Sequence, residues 1–452
     1  MGLRMRLGAA LTVMLLATLL LAGTASPSVA GLLWTTSEPS PGGDVLAVGA
    51  STPEDGPPVA PAPGPPSRVT PVFPVAAPSP RTAPAPDGLS NIYIGGMHSA
   101  HTVRSDGRLQ YPDEFYSSFR RYWDWVATTD HDHGIDPANW QEIVQGADGQ
   151  NDDAFVSLVG YEWSSPNWGH LSVMFKGDPP LPALGLARSA DPASDTPREL
   201  FDILRRGNGL AGFAHPSLAG CPIDFGKDGD YRDDAVAPLA GIFGFRDTVH
   251  WSAMWDYGDG NWVPAAMDGD VEGRGWIRNA LDRGYRLGFV GELDMHEKAV
   301  DPLSYRYTGV IAGGLTRADI FEALKMRHTY AVRSPGGLGK RILIKADADG
   351  HLMGDVFDCE SNVLKVTLDG KTDLQRFAQV NVFVNGERVE RRAVSGQSLS
   401  ESFSLILPAG ENYAFFEVRA MAANGQVSQA VTSPMYVTVG RPAGSAEVNL
   451  TD

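Results

Sequence analysis

Residues Trp125 to His131 read Trp-Val-Ala-Thr-Thr-Asp-His, a short apolar run that ends in a carboxylate and an imidazole. Strand-like runs followed by potential metal ligands recur along the chain: Asn91–Ile94 before His98, Phe155–Gly160 before Glu162, Leu210–Ala214 before His215, and Leu287–Val290 before Asp294 and His296. In barrels of parallel strands, the catalytic groups lie at the carboxyl ends of the strands. We therefore expect one rim of a sheet to gather these side chains.

Amphipathic stretches alternate with these apolar runs between residues 91 and 338. Such alternation predicts an α/β domain with a largely parallel sheet. After Gly339 the pattern changes to alternating strand-like runs, for example Arg341–Lys345, Val363–Thr367 and Val380–Val384. These runs predict a small C-terminal antiparallel β-sandwich over residues 339–440, with a structural or docking role, and a frayed tail over residues 441–452.

The first thirty residues have the features of a secretory signal peptide. Arg4 and Arg6 precede an apolar run from Leu11 to Leu21, and small residues end the segment at Ala30. The apolar run is too short for a membrane-spanning helix, whereas its length and its flanks suit a cleaved signal. We expect an exported protein, secreted or periplasmic, without stable membrane insertion after cleavage.

Residues 31–90 contain 15 of the 33 prolines, mixed with Ala, Gly, Ser and Thr. A segment with so few large apolar side chains cannot bury a core, so it is expected to be a disordered, extended tether. The formal net charge of the chain is −17. This charge repels nucleic acid, which is therefore not an expected partner.

The chain has two cysteines, Cys221 and Cys359. An exported protein meets oxidising conditions, so the two residues form either one disulfide or two free thiols. Neither has the spacing of a metal site.

Histidine is concentrated in one part of the sequence, since eight of the ten histidines lie between His98 and His296. Imidazole nitrogens together with carboxylates bind borderline cations such as zinc, manganese or iron. The sequence has no Gly-rich phosphate loop and no Ser-centred nucleophile elbow, so the chemistries that need them find no support. The residue types therefore indicate metal-dependent chemistry.

Six motifs occur in the order GMHSAHTVRSDG (96–107), ATTDH (127–131), GYEW (160–163), GHLSV (169–173), FAHPS (213–217) and LDMH (293–296). This order resembles the PHP (polymerase and histidinol phosphatase) superfamily of metallohydrolases over Asn91–Arg333. Within it the chain is most similar to the exported carbaryl-hydrolase-like branch, which has a counterpart of the segment at residues 315–331. The resemblance implies a distorted (β/α)7 barrel that holds two or three divalent metal ions at its carboxyl rim.

Carried over by motif, the resemblance implies nine metal ligands: His98, His101, Asp106, His131, Glu162, His170, His215, Asp294 and His296. A shared carboxylate such as Glu162 would bridge two metals and lower the pKa of a bridging water. Asp130 and His133 are expected to orient the ligands by hydrogen bonds.

The chain departs from the family at its first motif. The family opens with His-x-His, whereas this chain has His98-Ser99-Ala100-His101. On a regular strand, residues three apart point to opposite faces, so both bind one metal only where a bulge or the strand end intervenes. Whether His98 binds a metal together with His101 therefore depends on the backbone geometry at the end of the strand.

The implied function is an exported hydrolase that uses metal-bound hydroxide on a small-molecule ester, with phosphoester hydrolysis preferred. Hydrolysis of a carbamate, ester or amide by the same metal site is the alternative. A hypothesis of a different class is a non-catalytic envelope-binding protein with a decayed PHP barrel. The altered first motif is its one positive sign, and the other eight candidate ligands argue against it.

Overall fold

The computed structural model describes residues 88–107, 110–177, 186–216, 223–226, 231–243, 275–296, 306–334 and 340–440. The expected signal peptide, nearly all of the tether, Cys221 and the tail lie outside the described residues. Among the described residues, no helix is long and apolar enough to cross a membrane.

The first half of the described chain mixes strands with short helices. Its strands are β1 (Ile92–Gly96), β2 (Trp125–Ala127), β3 (Val156–Ser165), β4 (Gly169–Phe175), β5 (Leu210–Ala214), β6 (Leu239–Phe243), β7 (Gly288–Gly291), β8 (Arg306–Ile311) and β9 (Thr329–Arg333). Its α-helices are α1 (Pro112–Phe119), α2 (Pro137–Gln150), α3 (Pro197–Gly207), α4 (Ile277–Asp282) and α5 (Arg317–Lys325), and a short 3-10 helix covers Asp132–Gly134.

Capping residues stabilise both ends of helix α3. Thr196 accepts a hydrogen bond from the backbone N–H of Glu199, whose side chain in turn accepts from the backbone of Thr196, and Pro197 occupies the first helical position of α3. The helix ends at Asn208, which adopts the left-handed conformation with a φ of 56°. Such caps satisfy the backbone groups that a helix end leaves unpaired.

The second half consists of strands. They are β10 (Ile342–Ala348), β11 (His351–Leu352), β12 (Val356–Cys359), β13 (Val363–Thr372), β14 (Arg376–Val384), β15 (Glu387–Ala393), β16 (Ser398–Ile406), β17 (Gly410–Met421), β18 (Val427–Thr432) and β19 (Met435–Val439). Burial alternates residue by residue along β10 and much of β13, as expected where one face of an antiparallel sheet covers the core and the other meets solvent.

The prediction of a distorted seven-stranded β/α barrel, which the family resemblance implied, is wrong. Strands β1 to β9 lie in one mixed sheet in the order β9-β8-β1-β2-β3-β4-β5-β6-β7. The pairs β1–β2, β2–β3, β5–β6 and β6–β7 are parallel, whereas β3–β4, β4–β5, β1–β8 and β8–β9 are antiparallel. Strands dominate the described chain, and helices do not alternate with them regularly.

The hairpin between β3 and β4 is one physical reason for this difference. Ser165 pairs with Gly169, which leaves only three residues for the turn, and Gly169 has a φ of 79° that favours glycine. A connection this short joins antiparallel strands, because parallel neighbours need a crossover of about a dozen or more residues. The GYEW and GHLSV motifs therefore face each other across a hairpin.

The C-terminal strands, for which the sequence predicts a small antiparallel β-sandwich, lie in two sheets. Strands β10, β11, β13 and β16 form a separate four-stranded sheet, but the other C-terminal strands continue the large mixed sheet. The junction is the antiparallel pair β18–β9, in which Gln429 lies opposite Arg333 and Thr432 opposite Tyr330. One connected set of buried apolar side chains also runs through both halves.

Candidate metal centre

Glu162, in the middle of β3, is the centre of a cluster of imidazoles. It is fully buried, and its backbone N–H donates to the carbonyl oxygen of Asp130, at the end of the neighbouring β2 segment. The nearest distances from its carboxylate oxygens to histidine nitrogens are 2.9 Å for His131, 2.9 Å for His170, 3.1 Å for His215, 3.6 Å for His98 and 3.6 Å for His101.

The nine predicted ligands reach this cluster from six strands or from the segments that follow them. His98, His101 and Asp106 follow β1, His131 follows β2, Glu162 is on β3, His170 is on β4, His215 follows β5, and Asp294 and His296 follow β7. The structure brings all nine together. It does so although the strands run in mixed directions, because the β3–β4 hairpin turns His170 back beside Glu162.

Asp294 and Asp106 extend the cluster on two sides of Glu162. The Oδ1 atom of Asp294 lies 3.1 Å from Nε2 of His101 and 3.4 Å from Nε2 of His98. The carboxylate of Asp106 lies 3.1 Å from His101, 3.1 Å from His296 and 3.6 Å from His131. His101 therefore connects the buried side of the cluster with the side that Asp106 occupies.

Three overlapping groups have ligand atoms that all lie within 4.8 Å of one another. They are His98, His101, Glu162 and Asp294; His101, Asp106, His131 and His296; and His131, Glu162 and His170. The first group is buried, whereas the side chain of Asp106 is 47% exposed and that of His296 is 31% exposed. The cluster therefore has a closed side and a side open to solvent.

The spacing of His98 and His101 is explained by the end of β1. The strand ends at Gly96, and residues 98–101 then run beside the chain that follows β7. Leu293 donates its N–H to the carbonyl oxygen of His98, and His101 donates its N–H to the carbonyl oxygen of Met295. Since this segment lacks the regular strand geometry, side chains three residues apart both face the cluster.

Two of the candidate ligands have an uncommon backbone conformation. His215 has a φ of 29° and Asp294 a φ of 49°. Non-glycine residues in the left-handed region each cost on the order of 1–3 kcal/mol and persist where their surroundings hold them in place. His215 lies directly after β5 and its side chain contacts Glu162, whereas Asp294 lies three residues after the end of β7 and its side chain contacts His98 and His101.

The carboxylates strongly perturb the histidines of the buried side. Burial lowers the pKa of His98, but the charges of Glu162 and Asp294 outweigh it and raise this pKa to about 9. Burial acts in the same direction on His101, and hydrogen bonds with Asp106 and Asp294 raise its pKa to about 10. Without a metal, both rings are therefore protonated on both nitrogens and positively charged near neutral pH.

The carboxylates respond in the opposite sense. Burial alone would raise the pKa of Glu162, but the charges of His98 and His170 hold it well below its usual range. The pKa of Asp294 is likewise lowered despite burial, mainly by the charge of His98 and a hydrogen bond with His101. The pKa of Asp106 is lowered too, since hydrogen bonds with His101 and His296 outweigh its partial burial. All three remain anionic.

The buried atoms fit divalent metal ions. Both ring nitrogens of His98 are buried and have no hydrogen-bond partner among the described residues, although carboxylate oxygens lie 3.4 to 3.6 Å away. Buried polar atoms without partners are rare in proteins, and a missing ion is one of the explanations for them. Imidazole and carboxylate donors at these distances are the set that zinc, manganese and iron accept.

Asp130 holds the loop that carries two candidate ligands. It is buried and accepts hydrogen bonds from the backbone N–H of Thr102 at 2.7 Å and from the hydroxyl of Ser105 at 2.9 Å. Burial raises its pKa. This geometry is that of a residue that orients the segment between His101 and Asp106.

His133 has a different environment from the one expected. Its side chain is 65% exposed and lies 3.8 Å from Asp132. Its ring is nearly parallel to that of His131, at 5.1 Å between centroids. Among the described residues, it makes no hydrogen bond with a candidate ligand.

Two residues of the site were missed by sequence reasoning. Glu292 is buried, with a carboxylate oxygen 3.5 Å from Nδ1 of His98. The hydroxyl of Ser164 lies 2.6 Å from Nδ1 of His131. The acidic residue two positions before Asp294 was a visible signal in the sequence, whereas Ser164 becomes apparent only through the β3–β4 hairpin.

No protein-family model matches the chain, and no curated protein matches it. Solved structures similar to part of it include the CARDB domain of a Pyrococcus furiosus protein in complex with di-metal ions, with 14% identity, 22% of this chain and 93% of that chain covered, and a TM-score of 0.16. Fibronectin(III)-like modules of Clostridium thermocellum CbhA match with 16% identity, 22% and 100% coverage and a TM-score of 0.14. An engineered protein matches with 12% identity, 72% and 80% coverage and a TM-score of 0.20. TM-scores this low carry no argument about the fold of this chain, which therefore rests on the strand pairing described above.

Proposed function

We propose that this protein is an exported metal-dependent hydrolase, with phosphoesters as its preferred substrate class. The observation that carries the proposal is the position of Glu162, a fully buried carboxylate with five histidine side chains within 3.6 Å. A buried cluster of this composition is costly without cations, because it concentrates charges and polar atoms away from water.

The proposal extends to two or three divalent ions, held by the three overlapping groups described above. Bound ions of this kind supply Lewis acidity toward a phosphoryl or carbonyl oxygen and make water acidic enough to react near neutral pH. Glu162, His101 and His131 each belong to two of the groups, so these side chains would be shared between neighbouring ions.

The protein's own side chains define how a substrate would approach. His98, Glu162 and Asp294 close one side of the cluster, whereas Asp106 and His296 are partly exposed on the other. A substrate would therefore reach the ions from the side of Asp106 and His296. The buried carboxylates would keep the ions in place while the reacting group changes.

The resemblance to the PHP superfamily supports this proposal through the site. Every one of the six motifs contributes at least one side chain to the cluster, and their order in the sequence is that of the family. The mixed sheet is not the barrel that the resemblance implied, so the support comes from the ligands and not from the fold.

The first test is the metal content of the purified protein, measured by elemental mass spectrometry after dialysis. We expect two or three equivalents of zinc, manganese or iron. None, even after incubation with these metals, would refute the proposal and favour a non-catalytic binding protein.

A substrate screen follows with aryl phosphomonoesters, phosphodiesters, carbamate esters and carboxyl esters. His131→Ala and Asp294→Ala should abolish turnover, and His351→Ala, at an exposed position in the C-terminal half, is the matched control that should not. Turnover of carbamates or esters alone would replace the substrate class and leave the metal site intact. Full activity of either ligand variant would refute the ligand assignment.

Export has its own test. The mass of the protein recovered outside the cytoplasm should correspond to a chain that begins after Ala30. Recovery of the intact chain from the cytoplasm alone would contradict the proposed localisation.

A further inference from the structure

Glu292 connects two of the candidate ligands from a position just beyond β7. Its side chain is buried, and one carboxylate oxygen accepts a hydrogen bond from the backbone N–H of His215 at 2.9 Å. Its other oxygen faces Nδ1 of His98 at 3.5 Å. The residue thus lies between the segment after β1 and the segment after β5.

Strand β6 makes room for this carboxylate. A Cβ atom placed on Gly241 would lie 1.9 Å from one oxygen of Glu292 and 2.1 Å from its carboxyl carbon. No side chain larger than glycine fits there unless Glu292 moves. The close approach of β6 therefore fixes the position of the carboxylate between the two ligand segments.

The facing atoms of His98 and Glu292 lack other partners. Nδ1 of His98 and Oε1 of Glu292 are both buried without a hydrogen bond among the described residues. If the ring carries its proton on Nδ1, this N–H points at a carboxylate oxygen. The lone pair of Nε2 is then directed to the opposite side, where Asp294 lies at 3.4 Å and Glu162 at 3.6 Å.

We propose that Glu292 is a positioning residue for metal binding, which orients the ring of His98 and holds the backbone of His215, in a space that Gly241 leaves open. Carboxylates that accept a hydrogen bond from a metal-binding imidazole fix its tautomer and its orientation. This role explains how His98 serves the cluster although it is separated from His101 by two residues. The bond to the N–H of His215 also supports the φ of 29° at that residue.

This inference rests on the metal-binding part of the proposed function. Its test uses the full chain with zinc as the probe, and measures the number of bound equivalents and their Kd by competition with a chromophoric chelator. Glu292→Gln keeps the shape but replaces one acceptor by a donor, and Gly241→Ala displaces the carboxylate without touching a ligand. Each should weaken one zinc equivalent by about 10–100-fold, the usual effect of removing such a partner, and leave the other equivalents unchanged.

Matched controls separate this effect from a general loss of packing. Glu417→Gln changes another fully buried glutamate, on β17, and Gly149→Ala adds a methyl group where no atom lies within 4 Å. Neither should change zinc affinity. Thermal unfolding of the metal-free proteins shows whether each variant is folded, and Glu292→Asp replaces Glu292→Gln should the latter fail to fold.

A double-mutant comparison shows whether Glu292 acts through His98. In a His98→Ala background, zinc titration follows the equivalent that the loss of His98 weakens, and Glu292→Gln should weaken that same equivalent by no more than about twofold further, since coupled residues do not act additively. Two results would overturn the role of Glu292 while leaving the proposed function intact. One is unchanged zinc affinity of both Glu292→Gln and Gly241→Ala, and the other is a double variant whose loss of affinity equals the product of the losses caused by His98→Ala and Glu292→Gln. A wild-type protein that binds no zinc overturns the proposed function together with it.

Discussion

The hydroxyl group of Tyr436 on β19 makes two hydrogen bonds with the backbone of Leu287, just before β7. It donates to the carbonyl oxygen at 2.9 Å and accepts from the N–H at 2.6 Å. Because Asp294 and His296 follow β7, this contact links the C-terminal strands to the element that carries two candidate ligands.

Tyr436→Phe should therefore destabilise the protein. The change leaves a buried N–H and a buried carbonyl oxygen without their partner, at a cost of about 1–3 kcal/mol in the free energy of unfolding. Denaturant unfolding of the metal-free protein measures this loss. Tyr93→Phe, at a half-buried tyrosine for which no hydrogen bond is seen among the described residues, is the control and should change stability little. Equal stability of the Tyr436 and Tyr93 variants would show that the two bonds do not matter.

His98→Ala tests whether the unusual first motif binds metal. We expect the variant to lose one equivalent of tightly bound metal, because His98 belongs to the buried group with Glu162 and Asp294. Elemental analysis after dialysis gives the count. His133→Ala is the matched control, since that side chain is 65% exposed and should leave the count unchanged. Loss of metal from the His133 variant but not from the His98 variant would reverse the two assignments.

Metal uptake should release protons. The pKa of His98 is raised to about 9 and that of His101 to about 10, so both rings are protonated in the metal-free protein at neutral pH. A metal binds only the deprotonated nitrogen, so protons and metal compete. Zinc affinity should rise with pH by about tenfold per pH unit for each proton displaced, until the pH passes these pKa values. Proton release in weakly buffered solution measures the number directly, and affinity that does not vary with pH would contradict the expectation.

Asp130→Ala should weaken the site without removing a ligand. The change leaves the buried N–H of Thr102 without its partner and frees the loop between His101 and Asp106, which costs about 1–3 kcal/mol of stability. Zinc affinity should fall by about 10–100-fold as the loop loses its orientation. Asp136→Ala removes the N-cap of α2 and is the control, with a stability loss of about 1 kcal/mol and unchanged zinc affinity. An Asp130 variant that binds zinc as tightly as wild type would remove this residue from the site.

Six candidate ligands could be proposed from the sequence because each lies in or shortly after an apolar run that forms a strand: His98, His131, Glu162, His215, Asp294 and His296. The other three, His101, Asp106 and His170, are implied by the motifs of the family resemblance. Those runs set where the chain ends a strand, and the structure places the nine side chains together. Glu292 stands only two positions before Asp294, but sequence reasoning missed it because its role depends on its neighbours in space. The space left by Gly241 and the ring of His98 are separated from it by many residues and give no pattern along the chain.

The direction of the strands could not be predicted in the same way. Every residue of β3 is buried, which suits a strand covered on both faces. Such a strand has the same composition whether its neighbour is parallel or antiparallel. The three-residue turn before Gly169 decides the direction of β4, and apolar runs alone do not encode it.

The β18–β9 pairing has a practical consequence for protein engineering. A truncated chain that stops near residue 339 would leave the edge of β9 (Thr329–Arg333) without its partner strand β18 and would expose much of the shared apolar core. Exposed edges of this kind template aggregation. The C-terminal half is thus no detachable accessory, and a soluble fragment for crystallography or immobilisation must retain residues up to Val439.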